Sequence, residues 1–257
     1  IGSIYGAVDI GITHLKPHHL YSHKGRHPEG WGKAVRNQHR YGIAIIVPMA
    51  LEMIKKAPTI HTILESSKAY VESAKIAHLI ETYLKGLGYD AKSHTDGNYE
   101  TVCVPIAVDS GVGELSRMGL LIHDKLGPSI RIAIVTTNAP LIPTEGKTQH
   151  VDSFCRICKK CAENCPSVSI PNGSEPISRG FRHWTINQEK CFSFWKNIGT
   201  DCGFCLKVCP YSKPDTLFHR LVRFYISRNP INQRLALFFD DFLMGRRFKI
   251  PSSNTTN

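Results

Sequence analysis

Apolar and polar positions alternate with different periods along this chain, and the periods predict its elements. "YGIAIIVPMAL" (41–51) is an unbroken apolar run ending at Pro48, which predicts a buried strand entering a turn. "AYVESAKIAHLIETYLKGLGYDA" (69–91) puts Val71, Ala74, Ile76, Ala77, Ile80, Leu84 and Leu87 at helical spacing, and Gly86 and Gly88 stop the helix. "RIAIVTT" (131–137) predicts a second short buried strand, and "GVGELSRMGLLI" (111–122) a glycine-rich loop leading into a strand or short helix. "INQRLALFFDDFLM" (231–244) is amphipathic, and its apolar stripe is expected to pack against the body. Alternating strands and helices predict an α/β or α+β domain over 1–149. A cysteine-rich module follows over 150–215, and a helical C-terminal segment over 216–257.

Composition narrows the class. The 257 residues are 42% hydrophobic and 21% charged, enough for a packed core, and no apolar run reaches the ~18 residues of a membrane span. The formal net charge is +11, but the basic residues are scattered and no helix-turn-helix or RNP pattern is present. A nucleic-acid partner is therefore not expected. Attraction to an acidic electron donor or to lipid is the secondary reading of that charge.

The cysteines carry the chemistry. "FCRICKKCAENCP" (154–166) is a C-x2-C-x2-C-x3-C-P run, the bacterial ferredoxin pattern for [4Fe–4S] clusters. Thiols this close suit neither a disulfide framework nor the paired knuckles of zinc. A second run keeps Cys202, Cys205 and Cys209 before Pro210, with Gly199 at the first position and Cys191 eight residues upstream of it. Cys191 is expected to supply the missing ligand through a longer loop. In the crossed ferredoxin pattern, Cys155, Cys158, Cys161 and Cys209 hold one cluster, and Cys165, Cys191, Cys202 and Cys205 the other. Cys103 reads as a buried, unreactive thiol. His18, His19, His23 and His27 lie in a polar stretch without a carboxylate pattern and are expected to be a solvated loop.

In this order, "GRHPEGWG" (25–32), the 69–91 helix, "VPIAVDSGVGELSRMGLLI" (104–122), "GPSIRIAIVTTNAPL" (127–141) and the two cysteine runs resemble the corrinoid- and iron–sulfur-dependent reductive dehalogenases over nearly the whole chain. The resemblance implies a nitroreductase-like cobalamin-binding domain joined to a ferredoxin-like module with two [4Fe–4S] clusters. It implies removal of halide from a small organohalide, with electrons from a protein or membrane-bound donor. Tyr70 would be the proton donor, Arg131 the cation beside it, and Asn98 the third polar group, with Asp96 as its rival. Gly111, Gly113, Glu114, Arg117 and Gly119 would contact the corrinoid, whose lower base would be detached because no D-x-H-x-x-G motif is present. Ser110, Ser116 and Asn138 depart from the small or acidic residues usual in the family. Members extend further on the N-terminal side, and that region either lies outside this sequence or is lacking in a minimal member. The compartment would then be the exoplasmic membrane face, if an export signal lies there, or the cytoplasm. The alternatives are an epoxyqueuosine reductase-like enzyme and a non-catalytic ferredoxin-type electron carrier.

Overall fold

The computed structural model describes residues 1–25, 28–95, 97–146, 150–175, 177–178 and 181–248. In chain order its main elements are β1 (Asp9–His14), β2 (Tyr41–Pro48), α1 (Leu51–Ile54), α2 (Ile60–Gly86), β3 (Ala91–His94), α3 (Cys103–Asp109), β4 (Glu114–Leu115), β5 (Leu121–Ile122) and β6 (Ile130–Thr137). The helices α4 (Val151–Cys158), α5 (Lys160–Glu163), α6 (Gln188–Ile198), α7 (Phe204–Lys207), α8 (Leu217–Ile226) and α9 (Pro230–Met244) follow.

The chain forms two compact units. The first comprises 1–48, 67–113 and 130–148. Its sheet has the order β1-β2-β6-β3, with antiparallel neighbours. Both expected strands are its centre: β2 and β6 pair with Ile45 opposite Ala133 and Val47 opposite Arg131. Ala44, Ile45, Ile46 and Ile134 are fully excluded from water, so this strand pair forms the core of the unit. Gly42 lets α3 approach β2, since a Cβ there would press on Ile106 and Leu15.

The second unit comprises 49–66, 114–129 and 149–257. Two stretches from before residue 149 belong with the cysteines, and the C-terminal helices share their unit. Local pairing explains this. Ser116 and Leu120 close the β4–β5 hairpin, with Gly119 in a left-handed turn, and the Glu114 carboxylate accepts from the Val151 amide at 2.7 Å, tying the hairpin to the start of α4. Gly203, also left-handed, packs against Thr62, and Lys207 Nζ donates to the Ala57 carbonyl at 2.7 Å.

Two expectations are corrected. Helix α2 starts at Ile60, nine residues earlier than the periodicity indicated, so Tyr70 lies well inside it rather than at its start. Helix α9 forms where expected, but Ile231, Leu235, Phe238, Phe239 and Phe242 face solvent, and Gln233 is its buried residue. Helix α8 likewise exposes Leu217, Phe218, Leu221 and Phe224. Ala236 and Leu237, on the other side of α9, pack against the core around Phe154 and Tyr211.

Candidate functional site

The ferredoxin spacing of the cysteines becomes a spatial grouping in the second unit. Helices α4 and α5 carry Cys155, Cys158 and Cys161, separated by Lys159 in a left-handed conformation that turns one helix into the next. Cys209 joins them: burial first, and then the neighbouring Cys155 and Cys158 thiolates, push its thiol well above the ordinary range. Burial, then Cys209 and Cys155, does the same to Cys161. Cys155 is pushed up to about 12 and Cys158 to about 11, in both cases chiefly by burial. A cavity opens among these four thiols, closed by Phe154, Met118 and Tyr211.

The other four thiols form the second group. Burial pushes Cys205 to about 12, followed by the charges of Cys202, Cys165 and Cys191. Cys202 is raised to about 11 by burial and then feels Cys191 and Cys165. Cys191 is raised by burial and by Cys165. Cys165 departs from this trend. Burial raises its thiol, but the Ser167 hydroxyl at 3.4 Å and the Ser169 amide at 3.3 Å, with further backbone N–H groups, outweigh it and hold the thiol below its usual value.

The donor set suits a cluster rather than a single ion. Tetrahedral zinc at ~2.3 Å from sulfur brings its thiolates to about 3.8 Å from one another. No three cysteine sulfurs among the described residues lie mutually within 4.8 Å. Eight buried or half-buried cysteines with no metal would face desolvation as thiolates, whereas as ligands to iron they would be deprotonated and neutralised.

Cys103 stands apart in the first unit. Its thiol is pushed up to about 12, chiefly by burial, which makes it a poor nucleophile and ligand.

The first unit also holds Tyr70 and Arg131. Both are half-buried, and the Arg131 guanidinium carbon stands 4.0 Å from the centroid of the Tyr70 ring. Helix α2 and strand β6, distant in sequence, bring them into this cation–π contact. Asn98 is exposed and lines a polar cavity with Arg36, His39, Asp90, Lys92 and Glu100. Neither Tyr70 nor Arg131 lines that cavity. Asp96 lies outside the described residues.

The residues expected to touch a corrinoid have protein-internal roles. Gly111 has φ +77°, and a Cβ on it would collide with the Gly146 backbone, so its lack of a side chain serves a chain crossing. Gly113 is buried at the end of the first unit's central segment. Glu114 holds the Val151 amide, and Gly119 makes the hairpin turn. Arg117 is 1% exposed. Its guanidinium donates to the carbonyls of Cys155, Pro171 and Gly173 at 3.1, 2.8 and 2.8 Å and lies over the Trp184 ring. Arg117 therefore ties helix α4, which carries the first cysteines, to the 171–173 segment.

The histidine-rich stretch is also corrected. His19 is fully buried, its Nδ1 accepts from the Lys16 amide, and its Nε2 lies 3.0 Å from Asp109. With His18 these groups are close enough to hold an ion, but the Lys16 ammonium already sits 2.6 Å from the same carboxylate oxygen. His23 is exposed, and His27 lies outside the described residues.

Comparison with known proteins places this arrangement. A 4Fe-4S dicluster domain family matches residues 154–213. A tetrachloroethene reductive dehalogenase of Desulfitobacterium hafniense is 32% identical over 234 residues, covering 87% of this chain and 42% of the relative. One from Sulfurospirillum multivorans is 31% identical over 204 residues, covering 77% of this chain and 40% of the relative. A solved reductive dehalogenase described in terms of B12-dependent dehalogenation superposes with a TM-score of 0.88 at 25% identity, covering 95% of this chain and 36% of that one. Epoxyqueuosine reductase from Bacillus subtilis shares the fold more distantly, with a TM-score of 0.57 at 17% identity, covering 84% of this chain and 64% of that one. The chain spans less than half the length of the curated relatives it matches.

Proposed function

The chain belongs to the reductive dehalogenase family, and from that premise we propose that it takes part in reductive removal of halide from a small organohalide. The family uses a corrinoid and two [4Fe–4S] clusters. The net reaction replaces a carbon–halogen bond with carbon–hydrogen, consumes two electrons and one proton, and releases halide. The observation that carries this reading is the division of eight thiols of the second unit into two groups of four, in a chain whose first unit holds a tyrosine–arginine pair.

Cys155, Cys158, Cys161 and Cys209 would hold one cluster, and Cys165, Cys191, Cys202 and Cys205 the other. These clusters carry electrons one at a time. The corrinoid, when bound, supplies a strongly reducing cobalt centre. The described residues fit the clusters closely. For the corrinoid they offer Tyr70 and Arg131, whereas the polar atoms of Glu114 and Arg117 are engaged by the protein, so we assign no corrinoid contact to those two.

Tyr70 would release a proton from Oη to the carbon that loses halide. Arg131, over the ring, favours the negative charge that builds on the phenol oxygen as the proton leaves.

Electrons must come from outside the chain, from a protein or membrane-bound donor. Among the described residues no helix is long and apolar enough to cross a membrane. The chain, or the longest version of it that folds, is purified anaerobically, reconstituted with iron, sulfide and cobalamin, desalted, and assayed for iron, cobalt and halide release with a chemical reductant. Bound iron and cobalt with halide release are expected. Iron without cobalt would instead favour the electron-carrier reading.

A further inference from the structure

Buried hydrogen-bond donors without an acceptor are uncommon in folded proteins, and each one asks for a partner. Among the described residues two aromatic side chains carry such donors, Tyr211 through Oη and Trp195 through Nε1. One stands at each group of cysteines. Tyr211 lines the cavity enclosed by Cys155, Cys158, Cys161 and Cys209, and Trp195 lies one helical turn after Cys191 on α6.

We propose that the Tyr211 hydroxyl and the Trp195 indole N–H each donate a hydrogen bond to a sulfur of the neighbouring iron–sulfur cluster, and thereby raise that cluster's reduction potential. The proposal rests on the cluster reading above. It assigns a redox-tuning role to two residues that are not ligands.

The Tyr211 side chain is fixed in place. It is 6% exposed, its ring meets Phe154 edge-on with centroids 5.3 Å apart, and its backbone packs against left-handed Gly127, where no side chain would fit. Its hydroxyl is buried and meets no acceptor among the described residues. Its sequence position two residues after Cys209 gives it a short tether to a ligand.

Trp195 packs with the apolar patch of Cys202, Phe204 and Val208. An indole N–H can only donate, so its partner must be an acceptor. Cys191 lies four residues before it on α6, on the same face of the helix. As an iron ligand, Cys191 carries a sulfur with lone pairs beside that donor.

The direction of the effect follows from charge. Reduction adds an electron to a cluster, and its sulfurs become stronger acceptors. A donor fixed before reduction binds the reduced form more tightly and so raises the potential. Removing one is expected to lower the reduced-to-oxidised ratio at fixed poise by roughly tenfold, equivalent to 59 mV for one electron.

The test is an EPR-monitored redox titration of the reconstituted chain, its Tyr211→Phe variant and its Trp195→Phe variant. Both variants keep a ring in place. Tyr211→Phe is expected to shift only one cluster down, Trp195→Phe only the other, and iron content is expected to stay at the wild-type value. A general packing defect would move both midpoints or lose iron. The second measurement is pulsed EPR on the wild-type chain in D2O, where each cluster should couple to an exchangeable deuteron that its own variant lacks. Unchanged midpoints with full iron, or no exchangeable deuteron at either cluster in the wild type, would overturn the proposal. If a variant loses iron, the wild-type deuteron coupling decides the matter alone. A wild-type chain that binds no iron defeats the cluster reading instead, and is told apart by its iron assay.

Discussion

The guanidinium of Arg131 stands 4.0 Å over the ring of Tyr70, although 61 residues separate them along the chain. Helix α2 supplies the tyrosine and strand β6 the arginine, so the contact exists only in the folded unit. If Tyr70 is the proton donor, Tyr70→Phe should cut halide release by ~10²–10⁴-fold, the range typical of general acid catalysis, with iron and cobalt retained. Arg131→Ala should also slow turnover, and Arg131→Lys should recover part of it, because a lysine keeps the charge without the planar stacking. Halide per cobalt per minute is the quantity to measure. Wild-type turnover in Tyr70→Phe would mean the proton comes from elsewhere.

Iron stoichiometry checks the ligand set. Eight thiols in two groups of four predict about eight iron atoms per chain. Cys191→Ala should remove up to half of that iron or leave a three-iron cluster, because Cys191 is the ligand outside the tight run. Cys103→Ala should leave iron unchanged, since its thiol lies in the other unit and is pushed up to about 12 by burial. Iron and sulfide analysis with EPR reads both. Iron lost from Cys103→Ala and retained in Cys191→Ala would reverse the assignment.

Lys160 tests the support beneath the first cluster. It lies between Cys158 and Cys161, is 1% exposed, and its ammonium reaches Asp240 at 2.6 Å and Asp241 at 3.1 Å. Lys213 and Arg246 also pair with these carboxylates, so removing Lys160 leaves them partly compensated. Lys160→Met is expected to destabilise the second unit by about 3 kcal/mol, near the lower end for breaking a buried ion pair. Urea unfolding followed by tryptophan fluorescence would report it, and a loss under about 1 kcal/mol would show that the other cations suffice.

Acid should loosen the first unit. Burial, and then the nearby Lys92 charge, lower His94 from 6.5 to about 4. Its Nδ1 accepts from the Glu100 amide and its Nε2 meets the Thr136 hydroxyl, which suits a neutral ring. The unfolded imidazole takes up a proton near pH 6.5, whereas the folded one resists until about pH 4. The unfolded state therefore binds more protons between those values. Stability present above pH 6.5 should fall by on the order of 3 kcal/mol as the pH drops to about 4. His19, lowered to about 4 by burial and then by His18, adds to the same window. Urea midpoints at pH 7, 5.5 and 4.5 for wild type and His94→Gln would show a shallower slope in the variant, and equal slopes would remove His94 from the account.

Some features were readable from local order along the chain. The ferredoxin ligands follow from covalent spacing alone, because C-x2-C-x2-C can wrap a cubane only when its thiols come two residues apart. Strands β2 and β6 follow from continuous apolar runs, because a strand buried on both faces carries no polar alternation. Tertiary structure decided the rest. The first turns of α2 are not legible in the sequence because Glu65 and Ser66 are buried there as polar groups, with the Glu65 carboxylate accepting from the Ala50 amide at 2.7 Å, and hydrophobic periodicity cannot register a buried polar contact. Arg117 became a brace between helix α4 and the 171–173 segment because three carbonyls converge on it from 38 to 56 residues away. The apolar stripe of α9 had two possible orientations in sequence, and the packing of Ala236, Leu237 and Gln233 chose the opposite side for the core. A periodic pattern fixes which residues share a face, but only the packing of elements distant in sequence fixes what that face meets.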